Sequence, residues 1–291
     1  MNRRSDKEMM DTILGFAAGD ERIRAVMMNG SRVNPDAPRD LFQDYDIVYF
    51  VTSVDDFVAD RSWIRRFGDI LIMQTPDDNV VPPNDRSDSF AFLMLFTDGN
   101  RIDLTYCPVE RISRCRDDSL SLMLLDKDGI AGDLPPPSNH DYLPAPPSAK
   151  QFADCCNEFW WVSTYVAKGL WRDELPYAKF MVDRPVRDMV ALMLTWHIGI
   201  RSGFTADPGK CGKYFKSCLE PAKWESYVRT YADADVNRMW DALFEMGDLF
   251  RDTAIGVANR LGFEYPFDDD NRVTAYLKHV RALPKSAGRL Y

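Results

Sequence analysis

The feature that most restricts this chain is a cluster of prolines near its middle: Pro135, Pro136, Pro137, Pro144, Pro146 and Pro147 fall within one short polar stretch. Proline fixes φ and lacks an N–H, so a run this dense can be neither a helix interior nor a central strand. It reads as a semi-rigid connector between domains. The sequence changes character across it, from short strand-like apolar runs to apolar residues spaced by three and four. The expected fold is therefore α+β, with an N-terminal domain over 1–134 built on a mixed β-sheet flanked by helices. A connector over 135–148 and an α-helical bundle domain over 149–291 follow. At 291 residues and 45% hydrophobic content the chain can build two modest cores.

Within the N-terminal part, Asp6 to Ala18 places apolar residues on one helical face, with Ser5 suited as the N-cap. Ile23 to Met28, Asp44 to Thr52, Ile70 to Gln74 and Leu120 to Leu125 read as strands, and Val54 to Phe67 and Val109 to Arg116 as helices. The clearest hairpin pairs Phe90–Phe96 with Arg101–Tyr106 across Asp98-Gly99, a dipeptide favoured in tight turns. Its first arm is almost continuously apolar, which predicts burial on both faces. Beyond residue 149, helices are expected over 151–168, 184–201, 209–219, 223–231 and 235–261.

The chemistry concentrates between Val26 and Phe50. A strand ends at Gly30-Ser31, a proline-broken loop follows, and Asp44 and Asp46 open the next strand. Strand side chains alternate between faces, so these two carboxylates project together, about 7 Å apart along the backbone. Like charges side by side require a cation, and hard oxygen ligands without histidine or cysteine favour magnesium. Magnesium commonly accompanies phosphate. Gly30 permits close backbone approach, and Ser31 offers a hydroxyl and an amide to phosphate oxygens. Arg32 and Asn34 lie beside this turn, and an arginine there offers planar donors. Asp103 sits on the second hairpin arm, opposite in direction to Ile102, Leu104 and Tyr106.

Two features of the helical half add candidates. Trp160, Trp161, Tyr165 and Trp171 crowd near Glu158, Asp173 and Glu174. Acids and rings together suit an amine- or guanidine-bearing ligand, and Glu158, Trp161, Asp173 and Glu174 are the substrate candidates. Lys210 and Lys213 form a basic patch in an acidic chain, suited to a triphosphate, yet no Gly-Lys-Ser/Thr Walker ending is present.

The formal charge of −9 argues against a broad nucleic-acid surface and fits a cationic substrate. The six cysteines show no metal or disulfide spacing, and no segment approaches membrane-spanning length. A cytoplasmic, monomeric protein with reduced thiols is expected.

Gly30-Ser31 followed by Asp44-Tyr45-Asp46-Ile47 resembles the signature of the polymerase-beta-type nucleotidyltransferases. The likeness goes further. Asn29–Asn34, Asp44–Tyr49, Arg101–Thr105, Tyr165–Leu175 and Gly209–Tyr214 resemble the aminoglycoside 6-adenylyltransferases, the streptomycin-modifying enzymes, over nearly the whole chain. The resemblance implies that the N-terminal domain is a nucleotidyltransferase domain and that ATP and Mg2+ are cofactors. It implies AMP transfer to a hydroxyl of a cationic aminoglycoside and release of pyrophosphate. Asp103 then looks like the family's third carboxylate, joining Asp44 and Asp46 as catalytic and metal residues. Gly30, Ser31, Arg32, Asn34, Lys210 and Lys213 fall to the nucleotide. Two alternatives stand beside it: a nucleotidyltransferase acting on another small molecule or a protein hydroxyl, and a catalytically silent binding module of the same fold.

Overall fold

The computed structural model describes residues 3–84, 88–115 and 117–291. The chain divides into two compact units, Met1–Asp141 and Tyr142–Tyr291, the division falling inside the proline-rich stretch.

The first unit is a mixed α/β layer. It opens with α1 (Asp6–Gly19), where Ser5 accepts from the Glu8 amide and Glu8 returns the bond, a reciprocal capping box. The helix buries Met9, Ile13 and Ala17, one residue per turn. Strand β1 (Ile23–Asn29) follows, then β2 (Tyr45–Val51), a short α2 (Val54–Ala59), β3 (Ile70–Gln74), β4 (Phe90–Phe96), β5 (Arg101–Pro108), a short α3 (Ile112–Cys115) and β6 (Ser121–Asp126). The strands join in one six-stranded sheet of order β3-β4-β5-β2-β1-β6. Every neighbouring pair is antiparallel except β2 and β5, which run parallel.

Alternation divides the sheet into two faces. Tyr45, Ile47, Tyr49 and Val51 of β2, with Ile102, Leu104 and Tyr106 of β5, join Met9, Ile13 and Ala17 of α1 and Phe57 of α2 in the main core. Tyr49 and Tyr45 also bond to α1, through the Ile13 carbonyl at 2.7 Å and the Asp6 carboxylate at 2.7 Å. The opposite face carries a smaller cluster of Ala25, Met27, Phe50, Cys107, Ile112 and Ala131.

Three expectations for this unit need correction. Val54–Phe67 is not one helix: α2 stops at Ala59, and a 3-10 turn over Ser62–Phe67 follows a non-helical Asp60 whose carboxylate accepts from the Ser62 amide. Local Asx bonding of this kind competes with helix continuation. Strand β4 is buried on one face only, with Phe90, Phe92, Met94 and Phe96 inside and the alternate residues half-exposed. Its other face is covered incompletely, so apolar continuity overstated its burial. The predicted helix over 109–116 divides into a 3-10 turn, Val109–Arg111, and α3, while Arg116 lies outside the described residues.

The second unit is all helical: α4 (Ala149–Trp171), α5 (Leu175–Met181), α6 (Arg187–Ser202), α7 (Phe215–Cys218), α8 (Pro221–Arg229), α9 (Val236–Leu261) and α10 (Phe267–Ala282). A π-helical stretch, Val182–Val186, joins α5 to α6 and absorbs Pro185. Stacked Phe159 and Phe250, with centroids 3.9 Å apart, knit α4 to α9. At its edge Asp270, 1% exposed, receives Arg251 and the Tyr265 hydroxyl. The expected helix over 209–219 is instead a glycine-bounded turn and the short α7, because Gly209, Cys211 and Gly212 all take positive φ. Among the described residues, no helix is long and apolar enough to cross a membrane.

Candidate active site

The parallel pair is what gathers the site. Because β2 and β5 run the same way, their first residues meet at one end of the sheet. Asp46 is the direct register partner of Asp103. The row continues sideways, with Asn29 of β1 opposite Asp46, Ser121 of β6 opposite Asn29, and Leu93 of β4 opposite Asp103. Asp44 immediately precedes β2. One carboxylate oxygen from each of Asp44, Asp46 and Asp103 lies within 4.8 Å of the others. An antiparallel β2/β5 pair would have sent two of these acids to opposite ends.

The turn after β1 is shaped around this cluster. Gly30 has φ +75°, and a Cβ built on it would lie 2.2 Å from Asp46 Oδ2. Only glycine fits where the backbone both takes a left-handed conformation and lies against a carboxylate. Its amide donates to the Leu120 carbonyl at 3.1 Å. Gly30 thus serves first to seat Asp46. Ser31 follows in a single 3-10 turn, half-exposed, its carbonyl accepting from Gln43 Nε2 at 3.3 Å.

Arg32 is 8% exposed, and its guanidinium is committed to the protein. It donates to the backbone carbonyls of Gln43 and Asp44 at 3.0 and 2.9 Å, pairs with Asp6 at 3.2 Å and lies 3.6 Å over the Tyr45 ring. These bonds fix the end of the loop that delivers Asp44. Asn34 is buried and accepts from the Asp36 amide at 2.9 Å, closing a local turn.

Charge in the cluster is unbalanced. Burial, then the neighbouring charges of Asp44 and Asp103, push the Asp46 carboxyl up to about 7, against a smaller opposing pull from Arg101. Arg101 is the nearby cation. It grips Asp103 bidentately, Nε to Oδ1 at 2.7 Å and Nη2 to Oδ2 at 2.6 Å, and stands 3.9 Å from Asp44. Three oxygen donors this close, one of them made reluctant to ionise by burial and by its neighbours, fit a hard divalent cation.

The remaining candidates lie in the second unit. Lys210 and Lys213 are exposed on the turn before α7, with Lys213 Nζ 4.9 Å from the Tyr214 ring. Glu158 and Trp161 are exposed on the middle of α4, and Trp161 Nε1 donates to the Tyr165 hydroxyl at 2.7 Å. Glu158 borders a cavity of about 580 Å³ that also takes in Pro144, Asp154, Met189 and Trp196. Asp173 and Glu174 follow the end of α4, with Asp173 at φ +61°. At 1.5 Å per residue they lie roughly 20 Å along the helix from Glu158, so these four do not gather at one point.

Arg101 and Asn29 are the neighbours of the acids that sequence reasoning did not single out. The signal for Arg101 was present, since it stands two residues before Asp103 and so on the same strand face.

Comparison with known proteins gives the family. The streptomycin adenylyltransferase family profile matches residues 3–280. An aminoglycoside 6-adenylyltransferase of Bacillus subtilis is 40% identical over 279 residues, covering 95% of this chain and 98% of the relative. One from Campylobacter jejuni is 41% identical over 268 residues, covering 92% and 93%. A crystal structure of a B. subtilis aminoglycoside 6-adenyltransferase is similar over 96% of this chain and 100% of that one, with TM-score 0.48 and 37% identity. The chain belongs to the streptomycin adenylyltransferase family and is a nucleotidyltransferase.

Proposed function

We propose that this enzyme transfers AMP from magnesium-bound ATP to a hydroxyl of streptomycin, at the 6-position, and releases pyrophosphate. The observation that carries the reading is the convergence of Asp44, Asp46 and Asp103 beside the Gly30-Ser31 turn. The names of the relatives supply the aminoglycoside acceptor and the adenylyl donor.

Asp44, Asp46 and Asp103 are the residues that would hold magnesium, which when bound supplies positive charge against phosphate oxygens. The Ser31 hydroxyl and amide are suited to donate to the phosphate tail, while the Gly30 side of the turn keeps Asp46 in place. Arg32 and Asn34 act through the protein. By tying down the loop between β1 and β2 they hold Asp44 at its post. In the transfer the acceptor oxygen bonds to the α-phosphorus, the bond to pyrophosphate breaks, and the hydroxyl proton leaves. Asp103, on a rigid central strand, would orient that hydroxyl or take its proton.

In the second unit the assignment rests on chemistry alone. Lys210 and Lys213 are exposed cations suited to phosphate. Glu158, Trp161, Asp173 and Glu174 are exposed acids and a ring suited to guanidinium groups. With ATP as donor, the reaction belongs in the cytoplasm.

The test is pyrophosphate release with ATP, magnesium and streptomycin, with the product mass measured. Release together with a streptomycin–AMP adduct supports the proposal. Release with other aminoglycosides but not streptomycin overturns the acceptor and leaves the reaction class standing.

A further inference from the structure

Arg101 is the first residue of β5 and shares a face with Asp103, two residues on. Its planar fork occupies both oxygens of Asp103, at 2.7 and 2.6 Å, and approaches Asp44 to 3.9 Å. A carboxylate offers about four lone-pair positions, and this grip takes one on each oxygen. Two positions are left for a divalent cation shared by the three acids, but a guanidinium held on the same carboxylate repels a second cation bound there. The side chain is 46% exposed, so it can swing into water at small cost. The contrast with Arg32 is sharp. That guanidinium is buried and bonded to backbone carbonyls, whereas the partners of Arg101 among the described residues are Asp103 and, at longer range, Asp44, acids that a metal would use.

We propose that Arg101 is an internal counter-ion of the acidic site, which holds Asp103 while the metal is absent and leaves it when a divalent cation binds. The inference rests on reading the three acids as the metal site. Arg101 then competes with metal, and metal affinity is set partly by how readily the guanidinium lets go. In the metal-free protein it supplies the charge that keeps three carboxylates together.

The test is Mn2+ binding without nucleotide, read from the electron paramagnetic resonance signal of free Mn2+, on the wild type, Arg101→Gln, Arg101→Lys and Asp46→Asn. Removing the competing cation should tighten Mn2+ binding about five- to tenfold in Arg101→Gln, as expected for a partly exposed bidentate pair. Arg101→Lys keeps the charge but loses the fork, so it should fall between. It also keeps the test usable should the glutamine variant fold poorly. The melting temperature of Arg101→Gln should lie below wild type without metal and return to it with saturating Mn2+. Affinity in Arg101→Gln equal to or weaker than wild type overturns the inference. Asp46→Asn separates the two readings: if it binds Mn2+ like wild type, the metal assignment itself fails. If it loses binding while Arg101→Gln is unchanged, only the role of Arg101 fails.

Discussion

The two faces of β2 and β5 are made by alternate residues of the same strands, yet they do opposite work. On one face Tyr45, Ile47, Tyr49, Ile102, Leu104 and Tyr106 are all 1% exposed or less and form the main core with α1 and α2. On the other, the strands carry Asp46 and Asp103 near their starts, with Arg101 ahead of Asp103, and end with Phe50 and Cys107, which join the smaller apolar cluster. Residues adjacent in sequence thus serve stability and chemistry separately, because a period of two sends them to different environments. The chemical face also carries an internal conflict. Burial and like charges raise Asp46, so its ionised form costs stability that Arg101 offsets in part and a bound cation would return.

The largest effect should come from Asp46→Asn. Transfer should fall on the order of 10³-fold, through loss of several kcal/mol of charge stabilisation. Because the native carboxyl is raised, ionising it costs stability as pH climbs from the ordinary carboxylate range to about 7 and no further beyond it, so the metal-free variant should melt no lower than wild type at pH 8. Turnover near normal in the purified variant would break the comparison. The opposite face should answer in reverse. Leu104→Ala should lose about 2–5 kcal/mol in denaturant unfolding, while the folded fraction keeps its turnover.

Gly30→Ala tests the junction of the two. Positive φ and the clash with Asp46 should cost about 1–3 kcal/mol and displace the carboxylate, so stability and rate fall together. A smaller effect belongs to Asp98, an acid handled in the opposite way from Asp46. Burial works against its charge, but bonds from Arg4 at 2.6 Å and the Asn100 amide at 3.0 Å hold its carboxyl well below the usual range. Its contribution is present above the ordinary carboxylate pKa and is lost as pH falls from there through the lower native value. Asp98→Asn should cost about 1–2 kcal/mol at neutral pH and flatten the acid limb of the stability profile.

Much of this was readable in the sequence. Ser5 predicted the N-cap of α1, Asp98-Gly99 the hairpin, and the change of periodicity across the prolines the switch from sheet to helices. The spacing of Asp44 and Asp46 and the direction of Asp103 emerged from strand alternation alone. Sequence could not supply the parallel register that sets Asp46 beside Asp103, since pairing between distant strands leaves no local mark. It also overstated local pattern where backbone conformation decides. The apolar spacing of 209–219 suggested a helix that Gly209, Cys211 and Gly212 forbid. Helix α10 went unread although Asp268, Asp269 and Asp270 fill its first turn and Val273, Leu277 and Val280 repeat along it. Arg32 beside the Gly-Ser turn suggested a phosphate ligand. Its bonds to the Gln43 and Asp44 carbonyls, contacts between groups more than ten residues apart, could not be seen from spacing.

The most direct measurement of the central claim is calorimetric ATP binding with and without magnesium, in wild type and Asp46→Asn. Magnesium-dependent binding in the wild type that disappears in Asp46→Asn is the predicted result. Binding of equal strength in both proteins, or binding indifferent to magnesium, would contradict the assignment of Asp44, Asp46 and Asp103 to a metal-bound nucleotide.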